Sequence, residues 1–275
     1  VSQFLLLDAG NTTLKWWLVS AVAPGAKPSA PAVLAQGRLT WPRSDFLTSL
    51  RHALHATPIG RHVSGIGGCS VIAPDARQSL DVALLELTEQ SPVWLESQSQ
   101  FGADPWQLHN DYQVPASLGA DRWHALLGAW IQAPGQTQLV VCAGTATTAD
   151  ALLANGHFAG GTITPGVALM HTSLSQQTAQ LPADIGCHAT FPVQTLDAIR
   201  TGIVDAQVGL ILERHRHLAA VSADPVLVRL TGGHAPDLFS PLAQAAPHLR
   251  LCHDPDLILH GLWQRICQPA RSSSC

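Results

Sequence analysis

Two stretches of this chain share one shape. Phe4-Leu5-Leu6-Leu7-Asp8-Ala9-Gly10-Asn11-Thr12-Thr13-Leu14-Lys15 is an apolar run that ends in a carboxylate, a glycine and three small hydrogen-bonding side chains. Leu139-Val140-Val141-Cys142-Ala143-Gly144-Thr145-Ala146-Thr147-Thr148 repeats the plan. Each reads as a buried strand, an Ala-Gly turn bearing threonine, and a second strand. Either turn alone could be an ordinary β-hairpin. The matched pair predicts an α/β protein made of two similar halves, with a cleft between the copies. Two such turns facing one cleft suit a nucleoside triphosphate better than either alone. Gly10 permits close approach and unusual dihedrals, in a turn whose backbone amides face outward. Asn11, Thr12 and Thr13 add donors for phosphate oxygens, and Asp8 at the strand end suits Mg²⁺ or its waters.

The rest of the pattern alternates strands and helices. Residues 33–41, 63–72 and 92–96 read as strands, and 44–56 and 75–89 as helices, after a loop at 22–31. The pattern changes near residue 119, which sets the expected domains at 1–118 and 119–275. In the second half, 122–132, 167–180 and 196–218 have helical spacing, while 149–153, 157–164 and 226–230 read as strands. Asn155-Gly156 marks a hairpin, and residues 271–275 a disordered tail. Such alternation is that of a mixed α/β fold.

Charge and composition narrow the function. A formal net charge of −4 and thinly dispersed Lys and Arg give no electrostatic reason to expect nucleic-acid binding. Apolar runs stay far short of the roughly 18 residues that cross a bilayer. Phe4 to Leu7 is too short for a secretory signal core, so a soluble cytoplasmic protein is expected, with no membrane partner. Six cysteines form no C-x-x-C pair, and fourteen histidines form no H-E-x-x-H.

A third segment carries chemistry of its own. Tyr112, the one tyrosine of the chain, precedes Gly119-Ala120-Asp121-Arg122. An aspartate at a helix start is commonly a cap. The sharper reading makes Asp121 a base for a hydroxyl proton and Arg122 the grip on an anionic group. Thr231-Gly232-Gly233 follows a strand and could lie against an adenine or ribose.

These motifs together resemble the type III pantothenate kinases. The resemblance rests on Asp8 to Thr12, Gly119 to Arg122, Gly144 to Thr148, Gly160-Gly161-Thr162-Ile163-Thr164-Pro165-Gly166, Leu181-Pro182 and Thr231-Gly232-Gly233, in order over nearly the whole chain. It implies two ribonuclease-H-like domains around an ATP cleft, and ATP-dependent phosphorylation of pantothenate on the way to coenzyme A. It further implies that Asp8, Ala9, Gly10, Asn11, Thr12, Thr13, Leu14, Lys15 and Thr145 contact ATP. Tyr112, Gly119, Ala120, Asp121, Arg122 and Thr195 would contact pantothenate, with Asp121 the proton acceptor. A homodimer is implied, in which Thr195 serves the neighbouring protomer. One position departs from the family pattern. Cys142 stands where the family usually carries an aspartate that helps hold a monovalent cation, K⁺ or NH₄⁺, and a thiol is a poor ligand for K⁺. Two alternatives accompany this reading: another small-molecule kinase of the same superfamily, or a transcription accessory protein with a degenerate site.

Overall fold

The structure is a computed structural model of the chain and describes residues 2–20, 31–40, 48–49, 51–52, 63–103, 106–177 and 185–267. In chain order its elements begin with β1 (Gln3–Ala9), β2 (Thr13–Ser20), β3 (Ala32–Thr40), β4 (Gly65–Ser70), α1 (Pro74–Thr88), β5 (Pro92–Trp94), β6 (Gln100–Phe101) and β7 (Leu108–Asn110). A 3₁₀ turn at Pro115–Ser117 leads into α2 (Ala120–Gln132). There follow β8 (Gln138–Ala143), β9 (Ala146–Leu152), β10 (His157–Pro165), α3 (Val167–Gln177) and α4 (Thr195–Ala219). The last are β11 (Leu227–Thr231), α5 (Ala235–Ala245), β12 (Arg250–His253) and α6 (Leu257–Cys267).

The chain divides into two compact units. The first comprises Val1–Gly102, Gln113–Ile131 and Leu257–Cys275; the second comprises Ala103–Tyr112 and Gln132–Asp256. In the first, the sheet order is β3-β2-β1-β4-β5. The pairs β1–β2 and β2–β3 are antiparallel, whereas β1–β4 and β4–β5 are parallel. The second unit repeats this strand for strand as β10-β9-β8-β11-β12, with β7 added beside β10. Its pairs β8–β9 and β9–β10 are antiparallel, and β8–β11 and β11–β12 parallel. Two copies of one mixed sheet topology are the duplication expected from the repeated turn, and they are the two ribonuclease-H-like domains that the family resemblance implies.

Burial follows the pleat. Leu5, Leu7, Ala9, Leu14, Trp16 and Leu18 point to one face of the first sheet and pack with Leu80 and Leu84 of α1. Leu139, Val141, Ala143, Ala149, Val228 and Leu230 do the same in the second, against Val204 and Ile211 of α4 and Leu238 of α5. Buried Thr201, Val204, Val208, Ile211 and Leu218 recur along α4 at helical spacing.

The sequence boundary at residue 118 differs from the observed grouping. Helices α2 and α6 meet through glycines: a Cβ on Gly128 would run into the Leu257 carbonyl, and one on Gly261 into that of His124. Packing this close ties two segments far apart in sequence into the first unit. Elements missing from the sequence reading are β6, β7, α5, β12 and α6. Of the helix expected at 44–56, residues 48, 49, 51 and 52 are helical and the others lie outside the described residues, as do 22–30, 271–275 and Leu181-Pro182. Helix α3 is described only to Gln177.

The glycine crossing supports a stability prediction. Helix propensity favours Ala over Gly by about 1 kcal/mol. Overpacking against a backbone carbonyl costs about 1–3 kcal/mol or more, and here no flexible side chain can give way. Gly261→Ala is therefore expected to lower the urea midpoint, and a raised midpoint would show that the helices can separate freely.

Candidate active site

Strand register assembles the first half of the site. Asp8 at the end of β1 pairs with Lys15 on β2 and with Cys69 on β4, and Lys15 pairs with Arg38 on β3. Direct partners in a sheet share a face, so Arg38, Lys15, Asp8 and Cys69 form a row across the strands, opposite the apolar core. Lys15 Nζ lies 3.9 Å from Asp8 Oδ2, and Cys69 Sγ donates to Asp8 Oδ1 at 3.7 Å. Asp8 is 8% exposed. Burial raises its carboxyl to about 6, aided by the Asp121 charge and opposed by Lys15, Cys69 and Arg38. Cys69 is fully buried, and burial beside Asp8 pushes its thiol well up, so it stays protonated and donates.

The turn between β1 and β2 is closed by Gly10 N–H donating to the Thr13 carbonyl at 3.0 Å. The Gly10 amide is therefore engaged within the turn and does not face outward. Its φ is not positive, and the need for glycine comes from close approach, since a Cβ would stand 3.3 Å from the Thr13 carbonyl oxygen. Asn11 and Thr12 are exposed at the apex. Ala9 and Leu14 are fully buried in the core, so any contact they make with a nucleotide is through the main chain.

Asp121 sits in the first turn of α2, in the same unit. Its Oδ1 accepts the Arg122 N–H at 2.8 Å. Burial raises its carboxyl, against the pull of that N–H, the Arg122 guanidinium and Lys15. Lys15 thus acts on both carboxylates. Gly119 is crowded by Asp121 itself, because a Cβ there would stand 2.7 Å from Asp121 Oδ1. Arg122 is buried at 5% exposure. Asp8, Lys15, Asp121 and Arg122 are thereby gathered in one electrostatic cluster with Cys69.

The second unit builds a matching turn without the charges. Gly144 N–H donates to the Ala146 carbonyl at 3.0 Å, one residue shorter than in the first copy. Three motifs meet there. A Cβ on Gly166 would strike the Gly144 carbonyl, and one on Gly232 the Ala143 carbonyl; Gly232 also has φ +98. His234 N–H donates to the Ala143 carbonyl at 3.0 Å. Thr145 is exposed at the tip. Where the first copy has Asp8, Lys15 and Cys69 in register, the second has Cys142, Thr148 and Thr231. The Tyr112 ring packs on Phe158, centroids 5.3 Å apart, and its N–H donates to Asn110 Oδ1. Thr195 is exposed at the start of α4.

Sequence reasoning missed Arg38 and Cys69. Neither belongs to a motif; both reach the site through register with Lys15 and Asp8. Arg38 is exposed and its Nη2 donates to Thr13 Oγ1 at 3.4 Å, which places a second cation beside the phosphate-type turn.

The donors fit a divalent cation at Asp8. A nearly buried carboxylate with a raised pKa, facing a second carboxylate charge, gains from a hard cation more than a solvated one would. Among the described residues no group of three or more His, Cys, Asp or Glu is arranged to hold a metal, so such an ion would share Asp8 with ligand and water oxygens. Cys142 does not fit K⁺, which prefers oxygen to sulfur.

Comparison with known proteins places these observations. The sequence profile described as type III pantothenate kinase matches residues 4–217. A type III pantothenate kinase of Thiobacillus denitrificans is 38% identical over 263 residues, covering 94% of each chain. One of Methylibium petroleiphilum is 39% identical over 233 residues, 83% of this chain and 86% of the relative. Among solved structures, a Sinorhizobium meliloti protein named as a 2-dehydro-3-deoxygalactonokinase superposes with a TM-score of 0.55 at 16% identity, over 97% of this chain and 99% of its own. A Campylobacter jejuni protein named for the Baf family of transcriptional activators gives 0.52 at 20% identity, over 94% of each. At these identities the two structures speak for the fold alone.

Proposed function

This chain belongs to the type III pantothenate kinase family, and from that premise we propose that Asp121 is the proton acceptor in its transfer of phosphate from ATP to pantothenate. The supporting observation is the cluster of Asp8, Lys15 and Asp121 in one unit, with the Lys15 charge acting on both carboxyls against the burial that raises them. In the reaction, the primary hydroxyl of pantothenate loses its proton to the Asp121 carboxylate as its oxygen attacks the γ-phosphorus. The bond from that phosphorus to the bridging oxygen breaks, and ADP leaves. Asp121 suits this task because burial raises its proton affinity, while the Arg122 N–H fixes one oxygen. Phosphoryl transfer needs alignment and charge neutralisation more than covalent help. Lys15 and Arg38 supply positive charge beside the Asp8–Lys15 turn, and the exposed Asn11, Thr12 and Thr145 supply donors for phosphate oxygens. A Mg²⁺ ion at Asp8 would neutralise charge on the phosphate oxygens.

Pantothenate is assigned to Tyr112, Gly119, Ala120, Arg122 and Thr195, with Arg122 holding its carboxylate. A homodimer accords with the apolar surface of the second unit. Phe191 and Val193 are 86% and 94% exposed, and Ile163, Leu169, Leu174 and Ile185 are exposed as well. A groove of about 640 Å³ runs between α3 and α4, lined by Leu169, Met170, Leu174, Ile199 and Ile203. Apolar surface on this scale calls for a cover, and a second copy would bring Thr195 to its neighbour. No helix among the described residues is long and apolar enough to cross a membrane. Because ATP is an intracellular substrate, we place the enzyme in the cytoplasm. The net charge of −4 argues against a nucleic-acid partner.

A coupled assay of ADP release tests the assignment. Pantothenate is expected to support turnover at least about tenfold above any sugar or hydroxy acid in a panel, a gap of about 1.4 kcal/mol. Equal rates with a sugar would move the chain to another kinase of the same fold. Run in K⁺, NH₄⁺ and Na⁺, the rates should agree within about twofold, because the Cys142 thiol offers K⁺ little. Strong stimulation by K⁺ would mean that other oxygens fill the site.

A further inference from the structure

Helix α6 carries no residue assigned to the reaction, yet it is tied to the turn that presents Asp121. Arg265, near its end, uses one nitrogen twice. Its Nη1 donates to the Glu96 carbonyl at 2.7 Å and to His124 Nε2 at 3.1 Å. His124 is fully buried, and its Nδ1 lies 2.6 Å from the Ala120 carbonyl oxygen. The guanidinium can only donate, so Nε2 must accept. The imidazole is then neutral, with its proton on Nδ1 and donated to Ala120. Burial and the Arg265 charge hold His124 down at about 3, which keeps it in that form at any ordinary pH.

The residues held are those that aim Asp121. Ala120 immediately precedes it. Two residues before Ala120, Ser97 Oγ donates to the Leu118 carbonyl at 2.7 Å. Residues 96–97 and 118–120 are thus joined twice, once directly and once through Arg265 and His124. Gly261 brings α6 against the His124 backbone in the same place. The side chain that closes the linkage comes from the far end of the chain, 141 residues beyond His124.

We propose that Arg265, acting through neutral His124, is a positioning residue for phosphoryl transfer: it fixes the Ala120 carbonyl and so the direction of the Asp121 carboxylate. This rests on Asp121 being the proton acceptor. Arg265 itself touches no substrate, and its effect is on alignment, where small misplacements cost large factors in rate.

The test compares Arg265→Met, Arg265→Lys, His124→Leu and the Arg265→Met/His124→Leu pair in the full chain, with the folded fraction checked by near-ultraviolet circular dichroism. Arg265→Met is expected to lower kcat at least about tenfold while KM for ATP stays within about twofold. Arg265→Lys should recover part of the loss, because an ammonium can still donate to both acceptors. His124→Leu should match Arg265→Met, and the double variant should be no slower than either single one. A merely structural arginine would give additive losses, or losses that follow the folded fraction, and either result overturns the proposal. If Arg265→Met does not fold, His124→Leu decides alone: a wild-type kcat overturns, and a lowered kcat at constant KM for ATP supports. Asp121→Asn run alongside separates the two layers. An active Asp121→Asn removes the base assignment; an inactive one beside native Arg265→Met and His124→Leu removes only the positioning role.

Discussion

Asp121→Asn is expected to bind ATP normally and to lose at least about two decades of kcat. The asparagine has the same shape, and its carbonyl oxygen can still accept the Arg122 N–H that Asp121 Oδ1 accepts at 2.8 Å, so the helix start should persist. What disappears is the ability to take a proton. Burial lifts that carboxyl above its ordinary value, so its ionised form is a stronger base than a solvated aspartate. The same shift fixes the pH dependence. Only the ionised form accepts the hydroxyl proton, so kcat/KM should fall as pH drops through a value raised from that of an ordinary aspartate. In Asp121→Asn the part of that limb due to Asp121 should vanish along with most of the rate, leaving only the titration of Asp8. ATP affinity by calorimetry and kcat from the coupled assay make the check. Turnover within about tenfold of wild type would mean that water or another group takes the proton.

The duplication was legible because each copy announces itself locally. A strand, an Ala-Gly turn and a threonine-bearing strand lie within about fifteen residues, which is the range over which periodicity and turn chemistry speak. Register could not be read that way. Nothing local says that Asp8 faces Cys69 across β1 and β4, or that Lys15 faces Arg38 across β2 and β3. It also hid the shorter second turn: Ala9 pairs with Leu14, but Ala143 with Thr147. Helix α5 escaped because Pro241 lies inside it, where a proline usually argues for a break. Strands β6 and β7 have two and three residues, too few for alternation to be seen.

The boundary at 118 illustrates a different limit. A change of pattern near residue 119 is real, since α2 begins at Ala120. What it marks is a helix start within the first unit. The grouping is decided by Gly128 and Gly261, whose missing side chains let α2 and α6 approach across more than a hundred residues of intervening chain. Candidate site residues divide in the same way. Asp8, Lys15 and Asp121 were visible as residue types in a motif, whereas His124 and Arg265 each look like an unremarkable member of an apolar helix until their partners are known.

Asp8→Asn should make the protein more stable and a worse magnesium enzyme. The sign follows from the raised carboxyl. In the unfolded chain Asp8 ionises near its ordinary 3.8, and in the ligand-free fold near 6. Between those values the folded state holds a proton that the unfolded state has released, so stability falls as pH rises through this window. At neutral pH the buried charge then costs on the order of 3 kcal/mol. Asparagine removes the charge and keeps an oxygen for the Cys69 thiol. The Lys15 pair it forfeits is long, at 3.9 Å, and partly solvated, and its attraction is already contained in the value near 6. The balance favours the variant by up to about 3 kcal/mol, a rise of roughly 6–12 °C in the ligand-free melting temperature at 2–4 °C per kcal/mol. The Mg²⁺ concentration for half-maximal rate should move the other way and rise at least about tenfold, since a neutral amide is a weak ligand for a hard cation. Saturating Mg²⁺ and ATP should accordingly stabilise wild type more than the variant. Opposite movements of the two readouts are what a functional buried charge produces. A residue kept for packing alone would leave the Mg²⁺ requirement where it was, and a lowered melting temperature would show that the Lys15 and Cys69 contacts outweigh the burial of the charge.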